Sequence, residues 1–264
     1  MNIANIKAVN IGFGNMADEY DRLQLTNKPV QIMRQKYYEV VLKTVTPPAE
    51  VLELNCGSGI DAKFLAEKGY NILATDISDK MLENAKSKCL GLNVEFKNID
   101  INDLNILNNK KFDLILSNLG GLNCIKNLNA LSLKINSLLN SHGYFIAVVM
   151  PSFNLWEFLL FFKNNKQRAF RRLVKEDVLA NVGGQNIKVN YYSPKTLKET
   201  FAKNFSLIEL KALRIFAPPP TAGHWYEKHK IITAAFDKID NILENFYFSS
   251  FISDYYIAVF KKLY

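Results

Sequence analysis

The sequence predicts an α/β fold built on a doubly wound, mostly parallel sheet. Two observations indicate it: strand-like and helix-like segments alternate between residues 49 and 150 with little chain between them, and most of the strand-like runs are almost continuously apolar. Strands that alternate with helices are joined by right-handed crossovers and pair in parallel. Continuous apolar runs are typical of strands that helices cover on both faces.

The predicted elements follow one another in a regular order. Strands are expected at residues 50–54 (EVLEL), 71–75 (NILAT), 92–96, 112–116 (FDLIL), 144–150 (YFIAVVM), 205–216 and 255–261 (YYIAVFK). A helix after the first strand closes at Gly69, and Ser78 is a suitable N-cap for the helix after the second strand. Further helices are expected at residues 30–45, 128–139, 194–204 and 228–245, with two more within residues 151–190.

The composition is that of a globular protein with a basic surface. Of the 264 residues, 48% are hydrophobic and 22% are charged, and 33 Lys and Arg against 25 Asp and Glu give a net charge of +8. Such a charge favours acidic partners, without choosing among them. We predict one domain over residues 1–264: an N-terminal helical lid at 1–48, a cofactor-binding half at 49–150, and substrate-side insertions at 151–193 and 217–250.

The cysteines and the apolar segments bear on the cellular compartment. Cys56, Cys89 and Cys124 are too few and too far apart for a disulfide framework or a metal cluster, so buried free thiols and no metal are expected. The first residues lack the basic and apolar regions of a secretory signal, and no apolar stretch reaches the ~20 residues of a membrane span. We therefore predict a reduced, cytoplasmic protein without a membrane span.

The stretch that indicates chemistry runs from residue 51 to residue 76. A strand carries Glu53 near its end, a Gly-rich loop from Asn55 to Gly59 follows, and a second strand ends at Asp76. Glycine allows close backbone approach to a ligand, and a carboxylate after the second strand can accept both hydroxyls of a ribose. Residues 57–62 also satisfy the dinucleotide pattern G-x-G-x-x-G/A, so NAD and S-adenosylmethionine (SAM) are both candidates.

The first half of the chain carries five motifs: MADEYD at 16–21, ELNCGSG at 53–59, ATDIS at 74–78, FKNIDINDL at 96–104 and FDLILSNLG at 112–120. As a set they resemble those of class I SAM-dependent methyltransferases, and of members acting on small molecules in particular. The resemblance implies a seven-stranded Rossmann-like sheet with helices on both faces and an antiparallel last strand. It also implies SAM as cofactor, with S-adenosylhomocysteine as product. A carboxylate at or after the end of each of the first three strands suits an adenosine group better than a pyrophosphate.

The resemblance further implies a set of cofactor-binding residues. Asp76 would hold the ribose, Ile77 and Met81 would contact adenine, and Asp100 would lie beside the adenine amino group. Ser117 and Asn118 would face the methyl-bearing sulfur. The complete set is Tyr20, Arg34, Glu53, Asn55, Cys56, Gly57, Gly59, Asp76, Ile77, Met81, Asp100, Ile101, Ser117 and Asn118. Asn55 stands where the family usually has glycine, and asparagine tolerates a left-handed backbone better than most residues.

The acceptor side must be formed by the insertions. His224 and Tyr20 are the candidate catalytic residues, and Trp156, His224 and Trp225 are the candidate substrate residues. An aromatic-rich stretch after residue 154 suits an apolar or aromatic acceptor. The basic run at residues 163–175 is interpreted as a solvated helix face, with docking of a phosphate, an acidic carrier protein or RNA as the alternative.

The sequence thus predicts an enzyme, a SAM-dependent methyltransferase acting on a small, apolar or aromatic acceptor, free or tethered to an acidic carrier protein. Nucleic acid is not expected as a partner, because the basic residues and the aromatic residues do not interleave as a stacking platform requires. The alternatives are an RNA methyltransferase, an NAD-dependent oxidoreductase and a non-catalytic nucleotide-binding protein. The acceptor, the methylated atom and the oligomeric state are left open.

Overall fold

A computed structural model describes residues 3–163, 166–174 and 177–264 of the chain. Its strands are β1 (Glu50–Leu54), β2 (Asn71–Asp76), β3 (Val94–Asn98), β4 (Phe112–Ser117), β5 (Leu139–Val149), β6 (Val178–Val182), β7 (Gln185–Val189), β8 (Phe205–Leu213) and β9 (Tyr255–Lys262). Its α-helices are α1 (Ile3–Thr26), α2 (Lys28–Thr44), α3 (Ile60–Glu67), α4 (Asp79–Lys88), α5 (Leu128–Leu138), α6 (Leu155–Phe158), α7 (Lys166–Ala169), α8 (Pro194–Phe201), α9 (Gly223–Lys228), α10 (Lys230–Leu243) and α11 (Ser249–Ile252).

Seven strands form one sheet in the order β3-β2-β1-β4-β5-β9-β8. The first five pair in parallel, and β9 runs antiparallel to both β5 and β8. The predicted Rossmann-like sheet of seven strands and its antiparallel last strand are therefore confirmed. The order reverses direction between β1 and β4, and in open α/β sheets ligands bind at such a switch point, beyond the carboxyl ends of the strands.

Both faces of the sheet are covered, which explains the continuous apolar runs. In β1, Val51 packs with residues of α2 and α3 on one face, whereas Leu52 and Leu54 pack with residues of α5 and α8 on the other. Successive side chains of a strand point to opposite faces, so a strand buried on both sides needs apolar residues throughout.

The insertion after β5 differs from the prediction. Two helices were expected within residues 151–190, and the structure has two one-turn α-helices, α6 and α7, followed by a β-hairpin of β6 and β7. Gly183 and Gly184, with φ angles of 53° and 81°, form the hairpin turn. A two-residue turn with positive φ at both central positions matches the twist of the adjoining strands, and glycine adopts it without strain.

The hairpin holds α1 over the carboxyl edge of the sheet. Asn5 in α1 donates to and accepts from the backbone of Lys188 in β7, and the Asn15 side chain donates to the carbonyl of Gly183 at 2.9 Å. On its other side α1 contacts α4, where Asn84 donates to the carbonyl of Ala17 at 2.9 Å. The N-terminal segment therefore lies between the hairpin and α4.

None of the helices in the described ranges is long and apolar enough to cross a lipid bilayer.

Candidate functional site

A cavity of about 780 Å³ lies at the carboxyl edge of the sheet, under α1. Nine of the predicted cofactor-binding residues line it: Tyr20, Asn55, Gly57, Asp76, Ile77, Met81, Asp100, Ile101 and Asn118. The rest of the lining is Val9, Phe13, Ile99, Leu119, Gly120, Gly121, Cys124 and Ile125. This space is called the first cavity below.

The carboxylate of Asp76 is fixed at the end of β2 by backbone amides. One oxygen accepts a hydrogen bond from the N–H of Gly57 and the other from the N–H of Ser78, both at 2.9 Å. Gly57 has a φ of 54°, a left-handed conformation that glycine adopts freely, and the neighbouring Asn55 has a φ of 58°. Burial raises the pKa of Asp76, and the hydrogen bonds from backbone amides oppose that rise.

An apolar slot with one acid adjoins Asp76. Ile77 and Met81 from the β2–α4 connection and α4 line one part of it, and Ile99 and Ile101 after β3 line another. Asp100 lies between those two isoleucines, and one of its oxygens accepts hydrogen bonds from the backbone and side-chain nitrogens of Asn102. A flat apolar group with an edge that donates hydrogen bonds therefore suits this part of the cavity.

The lid helix α1 contributes Val9, Phe13 and Tyr20 to the first cavity. The Tyr20 ring lies over the Gly-rich loop, where a Cβ atom built on Gly57 would be 3.7 Å from Tyr20 Cε1. Burial raises the pKa of Tyr20 to about 12. The hydroxyl is therefore neutral near pH 7, and it can donate a hydrogen bond but is a poor general base there.

Arg34 is placed behind the cavity instead of in its lining. Its buried guanidinium forms an ion pair with Asp61 in the first turn of α3, and the same carboxylate accepts hydrogen bonds from Tyr38 Oη at 2.6 Å and Asn118 Nδ2 at 2.8 Å. Burial acts to lower the pKa of Arg34, but the charge and hydrogen bond of Asp61, together with Tyr20 and Tyr38, outweigh it and hold that pKa above its ordinary value. Asp61 thus connects α2 and α3 to Asn118 in the lining.

Four other predicted residues also lie outside the cavity lining as far as the chain is described: Glu53, Cys56, Gly59 and Ser117. Glu53 and Ser117 are buried, with an oxygen on each that lacks a hydrogen-bond partner in the described part of the structure. Burial raises the pKa of Glu53 well above its ordinary value. Gly59 lies against α4, where a Cβ atom would be 2.8 Å from Ala85 Cβ. The glycine allows α3 and α4 to pack closely.

A second, more open cavity of about 1170 Å³ lies beyond β5, between the two insertions. The predicted substrate residues Trp156 and Trp225 line it, with their rings edge to face and their centroids 6.2 Å apart. Trp156 is held by a hydrogen bond from its indole nitrogen to the carbonyl of Phe216 at 3.1 Å. The other lining residues are Met150, Asn154, Glu157, Arg171, Arg172, Pro219, Pro220, Thr221, Ala222, Asp254 and Tyr255.

The interpretation of the basic run as a solvated helix face is wrong for Arg171 and Arg172. Arg172 is buried, and its guanidinium donates to Glu157 at 3.0 Å and to the Asp254 carboxylate at 2.6 Å. Arg171 Nε donates to Glu157 at 2.7 Å. Two guanidinium groups thus face two carboxylates in the wall of the second cavity. Lys175 and the side chains of Lys163 and Arg168 lie outside the described residues.

The two cavities share a wall at Gly120, next to Asn118 and Leu119 in the lining of the first. Gly120, in the lining of the first cavity, has a φ of 84°. A Cβ atom on it would lie 3.2 Å from Met150 Cε and 3.4 Å from Tyr255 Cε1, two residues that line the second cavity. A side chain at residue 120 would therefore take up room at the boundary between the first and the second cavity.

His224 lies apart from both cavities. Its side chain is exposed at the start of α9, and it belongs to neither lining as described, whereas the next residue, Trp225, lines the second cavity. The structure brings Tyr20 to the first cavity and leaves His224 at the surface. The catalytic role of His224 stays a prediction.

Some residues of the site were missed in the sequence. The position of Asp61 could have been noticed, because it is an acid in the first turn of a helix that follows a Gly-rich loop. An anionic ligand would otherwise bind at that helix N-terminus. Asp254 and Tyr255 had no such signal, because they lie at the start of β9 and reach the second cavity only through the tertiary fold. Cys124, expected in the core, is only partly buried and lines the first cavity.

Comparisons with known proteins agree with this architecture. Residues 51–143 match the family model described as "Methyltransferase domain". Malonyl-[acyl-carrier protein] O-methyltransferase of Pseudescherichia vulneris is 32% identical over 120 residues, which cover 45% of this chain and 44% of that protein. The enzyme of the same name from Acetivibrio thermocellus is 35% identical over 71 residues, 26% of this chain and 24% of that protein. The chain therefore matches less than half the length of these curated relatives.

Solved structures extend the likeness to nearly the whole chain. The CcbJ methyltransferase from Streptomyces caelestis superposes with a TM-score of 0.63 at 15% identity, covering 96% of this chain and 98% of that one. N-methyltransferase NodS from Bradyrhizobium japonicum, solved with S-adenosylhomocysteine, gives a TM-score of 0.61 at 10% identity and covers 98% of this chain and 100% of that one. At these identities the likeness establishes the fold.

The fold of the chain is therefore the Rossmann-like fold of these methyltransferase structures. Residues 51–143, in the part of the chain that carries most of the motifs, match the methyltransferase-domain model.

Proposed function

We propose that this protein transfers a methyl group from SAM, held in the first cavity, to a small acceptor held in the second. The observation that carries the proposal is the shared wall at Gly120, where the lining of a nucleoside-like site lies against Met150 and Tyr255 of an aromatic-lined cavity. Methyl transfer is an in-line displacement, so it depends on holding donor and acceptor in adjoining spaces.

The residues of the first cavity fit SAM. Asp76, fixed by two amides, offers carboxylate lone pairs to a pair of ribose hydroxyls. The slot around Ile77 and Ile101, with Asp100 at its edge, suits an adenine ring and its amino group. Asn118 and Gly120 lie toward the second cavity, where the methyl-bearing sulfur would be expected. When bound, SAM supplies an electrophilic methyl group on a sulfonium.

The same geometry disfavours NAD. A dinucleotide places its pyrophosphate on the N-terminus of the helix after the Gly-rich loop. Here Asp61 brings a carboxylate into the first turn of that helix, and Ser58 in the loop donates to Asp21 of α1. Lys88 is also engaged, donating to the Ser58 carbonyl at 2.7 Å and pairing with Asp21. The protein's own acids therefore occupy the region that a pyrophosphate would need.

The second cavity suits an acceptor with an apolar body. Trp156, Trp225 and the Pro219–Pro220 segment supply apolar walls, and the charges of Arg171 and Arg172 are balanced by Glu157 and Asp254. The partial relatives named malonyl-[acyl-carrier protein] O-methyltransferase support a carrier-tethered acceptor, and the net charge of +8 suits an acidic carrier protein. We propose this tethered form alongside a free small molecule.

The test is methyl transfer from radiolabelled SAM to a panel of free apolar acids and phenols, their carrier-bound thioesters, and RNA. We expect label in the small or carrier-bound acceptors. Ala222→Trp, which fills the second cavity, should abolish that transfer and leave S-adenosylhomocysteine affinity unchanged, while Ala202→Trp on the exposed end of α8 should change neither. Label in RNA alone, or full activity in Ala222→Trp, would contradict the proposed acceptor site.

A further inference from the structure

Helix α10 turns its acids and Thr233 toward the protein and its isoleucines toward solvent. Its buried residues are Thr233 and Asp240. By contrast, Ile231 is 88% exposed and Ile242 is 72% exposed. A surface helix of a globular protein normally has the opposite arrangement, with its apolar stripe against the core.

Specific hydrogen bonds fix this orientation. The Asp240 carboxylate accepts from three consecutive backbone N–H groups after β8, those of Ile215 at 3.0 Å, Phe216 at 2.8 Å and Ala217 at 3.2 Å. Asp237 accepts hydrogen bonds from Arg214 and Tyr226. Turning the apolar stripe inward would break these contacts and leave the buried Arg214 guanidinium and the backbone N–H groups of residues 215–217 without acceptors, so α10 cannot simply rotate to hide the stripe.

The exposed apolar residues form one continuous stripe. At about 100° per residue, Ile231, Ile232, Ala235, Ile239 and Ile242 fall within an arc of about 100° on the side opposite Asp240. All five are exposed. The chain that follows the helix adds Phe246, Tyr247 and Phe248, at 59%, 51% and 69% exposure. This outer face, residues 231–242 of α10 together with residues 246–248, is called the α10 surface below.

The charges around the α10 surface are mainly positive. Lys228, Lys230 and Lys238 are exposed beside it, and the exposed acid nearest to the start of the helix is Glu227. The acids of α10 itself, Asp237 and Asp240, are engaged on the inner side. An apolar stripe with flanking lysines is the pattern of helices that lie in the interface of an anionic bilayer.

A second copy of the chain fits this surface less well. The 14 residues of α10 make a helix about 21 Å long and about 10–12 Å wide, so its outer side presents roughly 250 Å², to which residues 246–248 add three further side chains. A stable interface between two proteins buries about 800 Å² on each partner, and two copies would bring their lysines together. A lipid surface has no such minimum area, and its negative charge complements the lysines.

We propose that the α10 surface is a membrane-binding site that inserts its isoleucines and aromatic residues into the interface of an anionic bilayer. The protein would bind peripherally, with Lys228, Lys230 and Lys238 at the level of the lipid phosphates. The inference rests on the contacts and exposure of α10 alone, and so it stands or falls separately from the proposed methyl transfer.

The test is co-sedimentation of the full chain with vesicles of equal parts phosphatidylcholine and phosphatidylglycerol, and with vesicles of phosphatidylcholine alone. We expect binding to the anionic vesicles that weakens with salt. The double variant Ile231→Asp, Ile242→Asp should lower the partition coefficient about tenfold or more. The matched control is Leu90→Asp, Ile106→Asp, two residues with the same exposures of 88% and 72% elsewhere on the surface, and it should bind nearly as the wild type does.

Two kinds of result would overturn the proposal, in vesicle binding and in oligomeric state. One is equal sedimentation of the wild type with and without anionic vesicles, or equal loss of binding in both double variants. The other is a wild-type dimer in analytical ultracentrifugation that Ile231→Asp, Ile242→Asp converts to a monomer, since that would assign the surface to a second copy. Lys230→Glu, Lys238→Glu should weaken binding more than Lys86→Glu, Lys203→Glu, two exposed lysines elsewhere on the surface.

Discussion

The carboxylate of Asp76 accepts a 2.9 Å hydrogen bond from the backbone N–H of Gly57, which ties the end of β2 to the Gly-rich loop after β1. This bond leaves lone pairs on the carboxylate for a ligand and fixes its direction toward the first cavity. Two segments 19 residues apart in the chain are thereby held as one ligand-binding edge.

Asp76→Ala is expected to weaken binding of S-adenosylhomocysteine by about 1.5–3 kcal/mol, the free energy typical of lost hydrogen bonds to a charged group. Equilibrium titration of the purified variant measures it. Asp103→Ala, which removes an exposed acid outside the cavity lining, should bind as the wild type does. Unchanged affinity in Asp76→Ala would show that the ribose is held elsewhere.

Gly59→Ala is expected to destabilise the fold by more than the cost of placing a side chain on a left-handed backbone. Gly59 and Gly91 have similar φ angles of 75° and 79°, but a Cβ at Gly59 would lie 2.8 Å from Ala85 Cβ, whereas one at Gly91 would meet nothing within 4 Å. Gly91→Ala should lower the free energy of unfolding by about 1 kcal/mol, and Gly59→Ala by about 1–3 kcal/mol more. Urea unfolding compares them, and equal losses would refute close packing of α3 and α4 at this glycine.

Glu157 is expected to make the free energy of unfolding depend on pH in the acidic range. Burial acts to raise the pKa of Glu157, but the hydrogen bond from Arg171 and the charge of Arg172 outweigh it and hold that pKa below its ordinary 4.5. The ionised carboxylate therefore contributes stability above the unfolded-state pKa, and that contribution is lost as the pH falls through the lowered folded-state pKa.

The comparison that checks this is the free energy of unfolding of Glu157→Gln and of the wild type at pH 7 and at pH 3. The difference between them should be larger at pH 7. Glu199→Gln, which removes an acid whose side chain is 65% exposed, should differ little from the wild type at either pH. A difference for Glu157→Gln that stays constant with pH would contradict the ion-pair account.

The acceptor side can be tested at two adjacent residues. Trp225→Ala removes a wall of the second cavity and is expected to raise KM for the acceptor with little change in S-adenosylhomocysteine affinity.

If His224 is catalytic, as the sequence predicts, His224→Ala lowers kcat and leaves the affinity for S-adenosylhomocysteine intact. Its exposed position means that α9 must turn for the imidazole to reach the acceptor. An unchanged kcat in His224→Ala would show that His224 is a surface residue without a catalytic role.

The sheet and the first cavity were predictable because their signals are local. The apolar runs of β1, β2 and β4 mark buried strands, and the Gly-rich loop with Asp76 marks a ligand-binding edge wherever parallel strands end together. Asn55 was also expected to tolerate a left-handed backbone, because asparagine adopts that conformation more readily than most residues, and Asn55 has a φ of 58°.

The insertions were less predictable. The hairpin of β6 and β7 had a sequence signal, two adjacent glycines between β-branched runs, that a helical interpretation of residues 151–190 passed over. The second cavity had no such signal. Arg172 and Asp254 are 82 residues apart and meet only in the folded chain, so the buried state of the arginine could not be inferred from its basic neighbours.

The measurement that tests the central claim most directly is calorimetric titration of the wild-type chain with S-adenosylhomocysteine and, separately, with NAD. Binding of one S-adenosylhomocysteine per chain, weakened in Asp76→Ala, together with no heat from NAD, is the result that the geometry of the first cavity predicts. Binding of NAD alone, or no binding of either ligand, would contradict the assignment of that cavity to SAM.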